Sequence, residues 1–278
     1  MKPSAVWREY WEQRTSNRRQ RVELVALRAM EEVRLADKIH DLCSDLLRGL
    51  NAILGKNLYG VYLYGAIVFP DAGTPGDIDF HVILRKAPGT DAKSALRDLH
   101  ASLARDHPPL GAELDGYYIL LEDARRETPP RHQLVAEVYD HSWALHRAHI
   151  RAGRCIVLQG PDPSELFPAA SWPELDRALQ GELDYVADHL DDYPAYCVLN
   201  LCRLMYSFET HDVVISKRAS AEWADATFPE WRPLVEAARN SYDRQATPGD
   251  KKLLELGVTA FFSFARERIR ESKKEAQR

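Results

Sequence analysis

The sequence predicts an α+β chain in which an N-terminal domain, a mixed sheet flanked by helices, is followed by a C-terminal α-helical bundle. Three observations predict this. Short β-branched and aromatic runs at residues 60–63, 80–84 and 113–121 have the length and composition of strands. Helical periodicity precedes and separates those runs. After the Pro129-Pro130 pair the pattern turns to helical segments. The expected division is an arm at 1–21, the sheet domain at 22–130 and the helical domain at 131–278.

In chain order, the first twenty residues are rich in Arg, Gln and Ser with scattered Trp and Tyr, and read as an appended arm. Residues 22–54 carry Leu24, Leu27, Met30, Val33, Ile39, Leu42 and Leu46 at helical spacing, closed by Gly55. The strands at 60–63 and 80–84 flank the Pro/Gly-rich loop 70–76, residues 92–104 read as a helix, and Pro108-Pro109 breaks the chain before the third strand. Helical segments are expected at 134–151, 175–190, 196–210, 219–226, 233–242 and 251–275. Within 196–207 the period puts Tyr196, Asn200, Arg203 and Ser207 on a polar stripe, with Val198, Leu201, Cys202 and Met205 facing inward.

With 278 residues, 45% of them hydrophobic and 28% charged, the chain has apolar surface enough for a core. A net charge of −5 argues against a dedicated nucleic-acid surface or an anionic-membrane surface and favours a small-molecule or nucleotide partner. The four cysteines are scattered without CxxC spacing, so neither a zinc cluster nor a disulfide framework is expected. With no signal-peptide pattern and no membrane-spanning apolar run, the expected location is the cytoplasm.

The chemistry sits just past the loop, in Asp77-Ile78-Asp79-Phe80. Residues two apart on a strand share a face, so Asp77 and Asp79 point together while Ile78 and Phe80 pack behind them. Paired carboxylates suit a hard divalent cation, which keeps water and substrate phosphates as its other ligands. Asp115, near the start of the third strand, brings a third acid that can complete the metal shell or take a proton from an attacking hydroxyl. Gly65, in Leu63-Tyr64-Gly65-Ala66, lets backbone N–H groups approach a phosphate closely. An Asp-x-Asp at a loop-to-strand junction is also ordinary turn chemistry; the third acid is what turns the reading toward phosphoryl or nucleotidyl transfer.

The stretch from Tyr64-Gly65-Ala66 to Asp77-Ile78-Asp79 resembles the Gly-Ser and Asp-x-Asp signature of the nucleotidyltransferase superfamily related to DNA polymerase β. Farther on, the run from Val198 to Ser207, Ile215-Ser216-Lys217, Ala221-Glu222-Trp223-Ala224 and the run from Glu236 to Tyr242 resemble the helical domain of aminoglycoside (3'')(9)-O-adenylyltransferases. Those enzymes adenylylate streptomycin and spectinomycin. Val157-Leu158-Gln159-Gly160-Pro161, followed by Glu165-Leu166-Phe167, is similar to the segment leading into that domain. The resemblance implies ATP and Mg2+ as cofactors, a small cationic or aminocyclitol acceptor, and a monomer. It implies Asp77 and Asp79 as magnesium ligands and Asp115 in the place of the catalytic glutamate and in the metal set. Gly65 and Ala66 would seat phosphate, Arg203 and Lys217 would contact ATP, and Tyr242 would lie near the nucleotide. Two alternatives accompany it: a homologue that binds nucleotide without transfer, and an adenylyltransferase acting on a protein partner.

The chain departs from the family at several positions. Ala66 replaces the motif serine, and Asp115 is one methylene shorter than glutamate, with Glu113 two residues earlier on the same face. The family's drug-contacting tryptophan aligns near Val138, with Trp143 as a substitute, and its acid-and-histidine pair falls at Tyr193 and Tyr196 beside Asp191 and Asp192. His141, His146 and His149, like Trp172, Trp223 and Trp231, read as structural residues.

Overall fold

The computed structural model describes residues 37–71, 76–135 and 137–276. The arm at 1–21 and the start of the helical stretch expected at 22–54, as one helix or a pair, lie outside the described residues. From residue 37 the chain is helical to 54 (α1), and Leu42, Leu46, Leu50 and Leu54 form its buried stripe at i, i+4 spacing.

That stripe covers one face of a four-stranded sheet. Strand β1 (Leu58–Tyr64) pairs antiparallel with β2 (Ile78–Leu84), and β3 (Leu114–Leu120) runs parallel to β2 after a crossover through helix α2 (Thr90–Asp106). Val61, Leu63, Phe80 and Val82 pack with the α1 leucines and with Leu96 and Leu103 of α2. Their neighbours Tyr62, Tyr64 and Ile83 point to the other face, where Trp143 and Ile150 of helix α4 (Trp143–Arg151) cover them. A sheet buried on both faces explains why these strands read as nearly continuous apolar runs. The register sets Tyr64 opposite Asp79 and Asp79 opposite Asp115, which gathers the acids at one end of the sheet.

Beyond the sheet, and after the short helices α3 (Leu121–Ala124) and α5 (Pro163–Leu166), lie α6 (Trp172–Asp188), α7 (Pro194–Thr210), α8 (Lys217–Thr227), α9 (Arg232–Tyr242) and α10 (Pro248–Glu275). Helix α7 is buried nearly all round, through Val198, Leu199, Leu201, Cys202, Leu204 and Met205, and forms the centre of the bundle. Trp172, Trp223 and Trp231 pack at the edge of this core, as expected. Helix α7 is followed by a left-handed residue, His211 (φ 58°), and α8 is capped by the preceding Ser216, whose Oγ accepts the Ala219 N–H at 2.9 Å. The fully buried Arg147 of α4 donates to Glu174 of α6, whose second oxygen accepts the N–H and hydroxyl of Ser171 at 2.9 and 2.7 Å. This network joins the helix covering the sheet to the bundle.

The structure corrects four sequence expectations. The predicted helix 134–151 forms only as Trp143–Arg151. Upstream, the His132 ring accepts the N–H groups of Leu134 and Val135 at 2.9 and 3.3 Å, and Glu137 has φ 63°, so local side-chain bonding replaces the helical ladder. A fourth strand, β4 (Ile156–Gln159), pairs antiparallel with the open edge of β1, giving the order β3-β2-β1-β4, so the sheet takes a strand from the span 131–278 assigned to the helical domain, between the helices expected at 134–151 and 175–190. The polar stripe on α7 is not set apart from the inward-packing residues throughout, because Asn200 and Ser207 are buried as well and Asn200 donates to Glu182 at 3.1 Å. Trp143 is fully buried and donates its indole N–H to the Arg126 carbonyl at 2.9 Å, so it faces no acceptor. All four cysteines are free, and no helix among the described residues is long and apolar enough to cross a membrane.

Candidate active site

The acid end of the sheet opens into a cavity of about 230 Å³ whose far wall belongs to the bundle. From the sheet side it is lined by Tyr64, Gly65, Ala66, Asp77 and Asp79; α4 adds His146, and α6 adds Glu182. The bundle side supplies Tyr196 and Arg203 from α7, Lys217 from α8 and Tyr242 from α9. Of the residues expected to hold metal or nucleotide, Asp115 alone is not in the lining. It stands in register beside Asp79, with its side chain accessible.

Gly65 is in the left-handed region at φ +74°, and a Cβ there would overlap the Asp79 carboxylate. The glycine thus lets the chain turn out of β1 directly against an acid of the site. Burial, then the Asp77 charge, pushes the Asp79 carboxyl up to about 7. Asp115 is raised as well, by desolvation from the surrounding protein and then by Asp77. Across the cavity, burial and the neighbouring Arg203 charge lower the Lys217 ammonium, while Asp77 and Asp79 oppose that shift. Lys217 Nζ lies 4.9 Å from the Tyr196 ring centre and 5.3 Å from that of Tyr242, between two aromatic faces.

A hydrogen-bonded trio stands beside these charges. Asp140 Oδ2 accepts from His146 Nδ1 at 2.8 Å and from His81 Nε2 at 3.1 Å. The two histidines hold the Asp140 carboxyl well below the usual carboxylate range despite its burial. An ionised carboxylate only accepts, so both facing ring nitrogens carry protons. His81 is fully buried and its pKa is lowered by that burial, which leaves its Nδ1 as an unpartnered lone pair. The Tyr64 ring stacks on His81 at 4.5 Å and tilts against His146 at 4.6 Å.

Comparison with known proteins adds a likeness. The aminoglycoside adenylyltransferase C-terminal domain matches residues 165–267. Spectinomycin 9-adenylyltransferases of Staphylococcus aureus are 23% identical over 233 residues, covering 74% of this chain and 85% of theirs. The chain is aminoglycoside adenylyltransferase-like. A crystal structure of a spectinomycin adenyltransferase from Enterococcus faecialis, with ATP and spectinomycin, shares the fold at a TM-score of 0.64 and 16% identity, covering 83% of this chain and 99% of that one.

For this adenylyltransferase-like chain, sequence reasoning passed over Glu182, His81 and Asp140 and took His146 as structural. One signal was present: His81 continues the every-second-residue alternation of Asp77 and Asp79 on a strand whose other residues are apolar. Tyr193, which the resemblance set beside the acceptor, is exposed and outside the cavity lining.

Proposed function

We propose that the chain transfers AMP from ATP, with Mg2+, to a hydroxyl of a small cationic acceptor of the aminoglycoside class, such as streptomycin or spectinomycin. The observation that carries this is the cavity itself, where Asp77 and Asp79 of the sheet face Arg203, Lys217 and Tyr242 of the bundle. The acids suit a divalent cation, since Asp79, pushed up to about 7 by burial and by Asp77, regains its charge most easily beside one. Asp77 and Asp79, with Asp115 in register beside them, would hold the metal. Magnesium at that place would supply charge neutralisation for the phosphate oxygens.

The chain's own groups do the rest. Arg203 and Lys217 bind the phosphates, and a polyanion restores the charged state that burial disfavours in Lys217. Lys217 is also the first residue of α8, so the positive end of that helix faces the same phosphates. Gly65 and Ala66 bring backbone against the phosphate tail, and Tyr242 and Tyr196 flank the nucleotide side. Glu182 is the cavity carboxylate left over from the metal pair, and Ser142 Oγ, at 2.5 Å, and Asn200 hold it in place. It faces the acceptor's ammonium groups. One chain supplies every group named, so a monomer in the ATP-containing cytoplasm suffices.

A second reading, a nucleotide-binding homologue without transfer, draws on Ala66 in place of the motif serine and on Asp115 lying outside the cavity lining. Pyrophosphate release from ATP and Mg2+ across a panel of aminoglycosides tests both. Release dependent on one drug, with a product heavier by one AMP, is the expected result. ATP binding with silence across the panel selects the second reading, and label on a protein instead of a drug selects a protein acceptor.

A further inference from the structure

We propose that His146, oriented by Asp140, is the base that takes the proton from the acceptor hydroxyl. This rests on the transfer reading above and deepens it. The group in the expected place, Asp115, is short and lies outside the cavity lining, whereas His146 forms part of the wall. A base must reach the proton it removes, and geometry takes precedence over basicity.

The arrangement is that of an oriented imidazole. Asp140 receives the Nδ1 proton of His146 at 2.8 Å and is itself pinned by His81 at 3.1 Å. Among the described residues the His146 ring is hydrogen-bonded through Nδ1 alone, which leaves Nε2 open, and its side chain is 23% exposed, enough to meet a ligand. A buried acceptor, an imidazole held through one nitrogen and an open second nitrogen make up the base-and-orienter pattern of nucleophile activation. The groups facing it are Tyr64 from β1, Asp79 and His81 from β2, and Glu182 from α6. Burial works against its charged form, but Asp140, with Asp79 and Glu182 behind it, raises its pKa above the ordinary imidazole value, so the base is the neutral form of a strengthened imidazole. Asp115 on β3 and His149 on its own helix sense its charge. Asp79 is not among its ion-pair partners.

The step balances. As the acceptor oxygen bonds to the α-phosphorus, its proton passes to Nε2, and the bond from that phosphorus to the bridging oxygen breaks. Pyrophosphate leaves with the electron pair. The imidazolium, stabilised by Asp140, then returns its proton to solvent. Asp115 stays with the metal set.

The test compares His146→Gln, His146→Ala and Asp115→Asn with the wild type for ATP affinity, kcat and KM of the acceptor. The expected result is unchanged ATP binding in both His146 variants with kcat lower by about 100- to 10,000-fold. Added imidazoles should restore His146→Ala in order of their basicity, which a packing role would not produce. Wild-type kcat in His146→Gln, a loss confined to KM, or no rescue in a His146→Ala protein that binds ATP would overturn the assignment. Should neither variant bind ATP, nitrogen NMR of the intact protein decides: a proton on Nδ1 and none on Nε2 at the working pH supports the base role, and a proton on Nε2 overturns it. A wild type silent towards every acceptor fails the transfer reading first, and this assignment with it.

Discussion

Gly65→Ala separates the backbone's role at the site from its role in stability. The native φ of +74° belongs to the left-handed region, and an added Cβ would overlap the Asp79 carboxylate. The dihedral alone costs about 1–3 kcal/mol for a residue with a side chain. Gly153 provides the reference, because it has φ +81° with nothing within 4 Å of an added Cβ. Gly153→Ala therefore carries only the dihedral cost, worth about 2–12 °C in melting temperature for a chain of this size, and leaves kcat unchanged. Gly65→Ala carries that cost and also drives Asp79 from its place. Because a misplacement of about 1 Å in a positioning group costs about 100-fold, its kcat should fall by that factor or more. Differential scanning calorimetry and pyrophosphate release, run side by side on the two variants, measure both terms. A Gly65→Ala protein that melts and turns over like Gly153→Ala would refute the close approach of backbone and acid.

Asp79→Asn should abolish transfer. The Asp79 carboxyl is raised to about 7 in the folded protein, which holds its proton more tightly than the unfolded chain, so ionisation costs stability as pH rises and the cost vanishes toward about pH 4. Metal-free Asp79→Asn should therefore melt above wild type near pH ~8 and converge with it in acid; a variant that melts lower near that pH contradicts the burial argument. Lys217→Met keeps the stem and removes a desolvated charge, so it should melt no lower than wild type while ATP binds about 10- to 100-fold more weakly by calorimetry, the equivalent of one charge-assisted hydrogen bond. Arg147→Met leaves Glu174 buried without its cation and should lose about 3–5 kcal/mol in urea unfolding. A loss below ~1 kcal/mol would put that pair on the level of a surface ion pair.

What was legible in the sequence was local. The alternation of Asp77 and Asp79 against Ile78 and Phe80 gave the acid pair its shared direction, and Ile78 and Phe80 are indeed fully buried. The bundle helices were legible from their period. What escaped was non-local. Strand β4 is four residues long and is a strand only because the edge of β1 is open beside it. The segment before α4 has helical composition, but the His132 ring takes the N–H groups a helix would need. Asn200 and Ser207 were set apart from the inward-packing residues by their polarity, whereas both are buried and Glu182 of α6 comes in to meet Asn200. His81, Asp140 and His146 lie in separate segments, and only the packing of α4 on the sheet makes them one hydrogen-bonded unit. Arg203, Lys217 and Tyr242 were placed by resemblance, since nothing in their spacing says that three helices aim them at one cavity.

The cavity's two walls carry opposite problems. On the sheet side Asp79 is pushed toward its neutral form by burial and by Asp77, and on the bundle side Lys217 is pushed toward its neutral form by burial and by Arg203. Each wall partly relieves the other, since Lys217 lowers Asp79 and the two acids raise Lys217. A divalent cation alone would settle the acids but add to the positive charge facing Arg203; a polyphosphate alone would settle the bases but add to the negative charge facing Asp77. The two together resolve both. Metal and nucleotide should therefore bind with positive coupling, and because coupling between ligands is reciprocal, magnesium must tighten ATP by the same factor as ATP tightens magnesium. Titrating each in the presence and absence of the other measures that factor. Equal affinities with and without the partner ligand would mean that the acids and the bases do not share one charge balance.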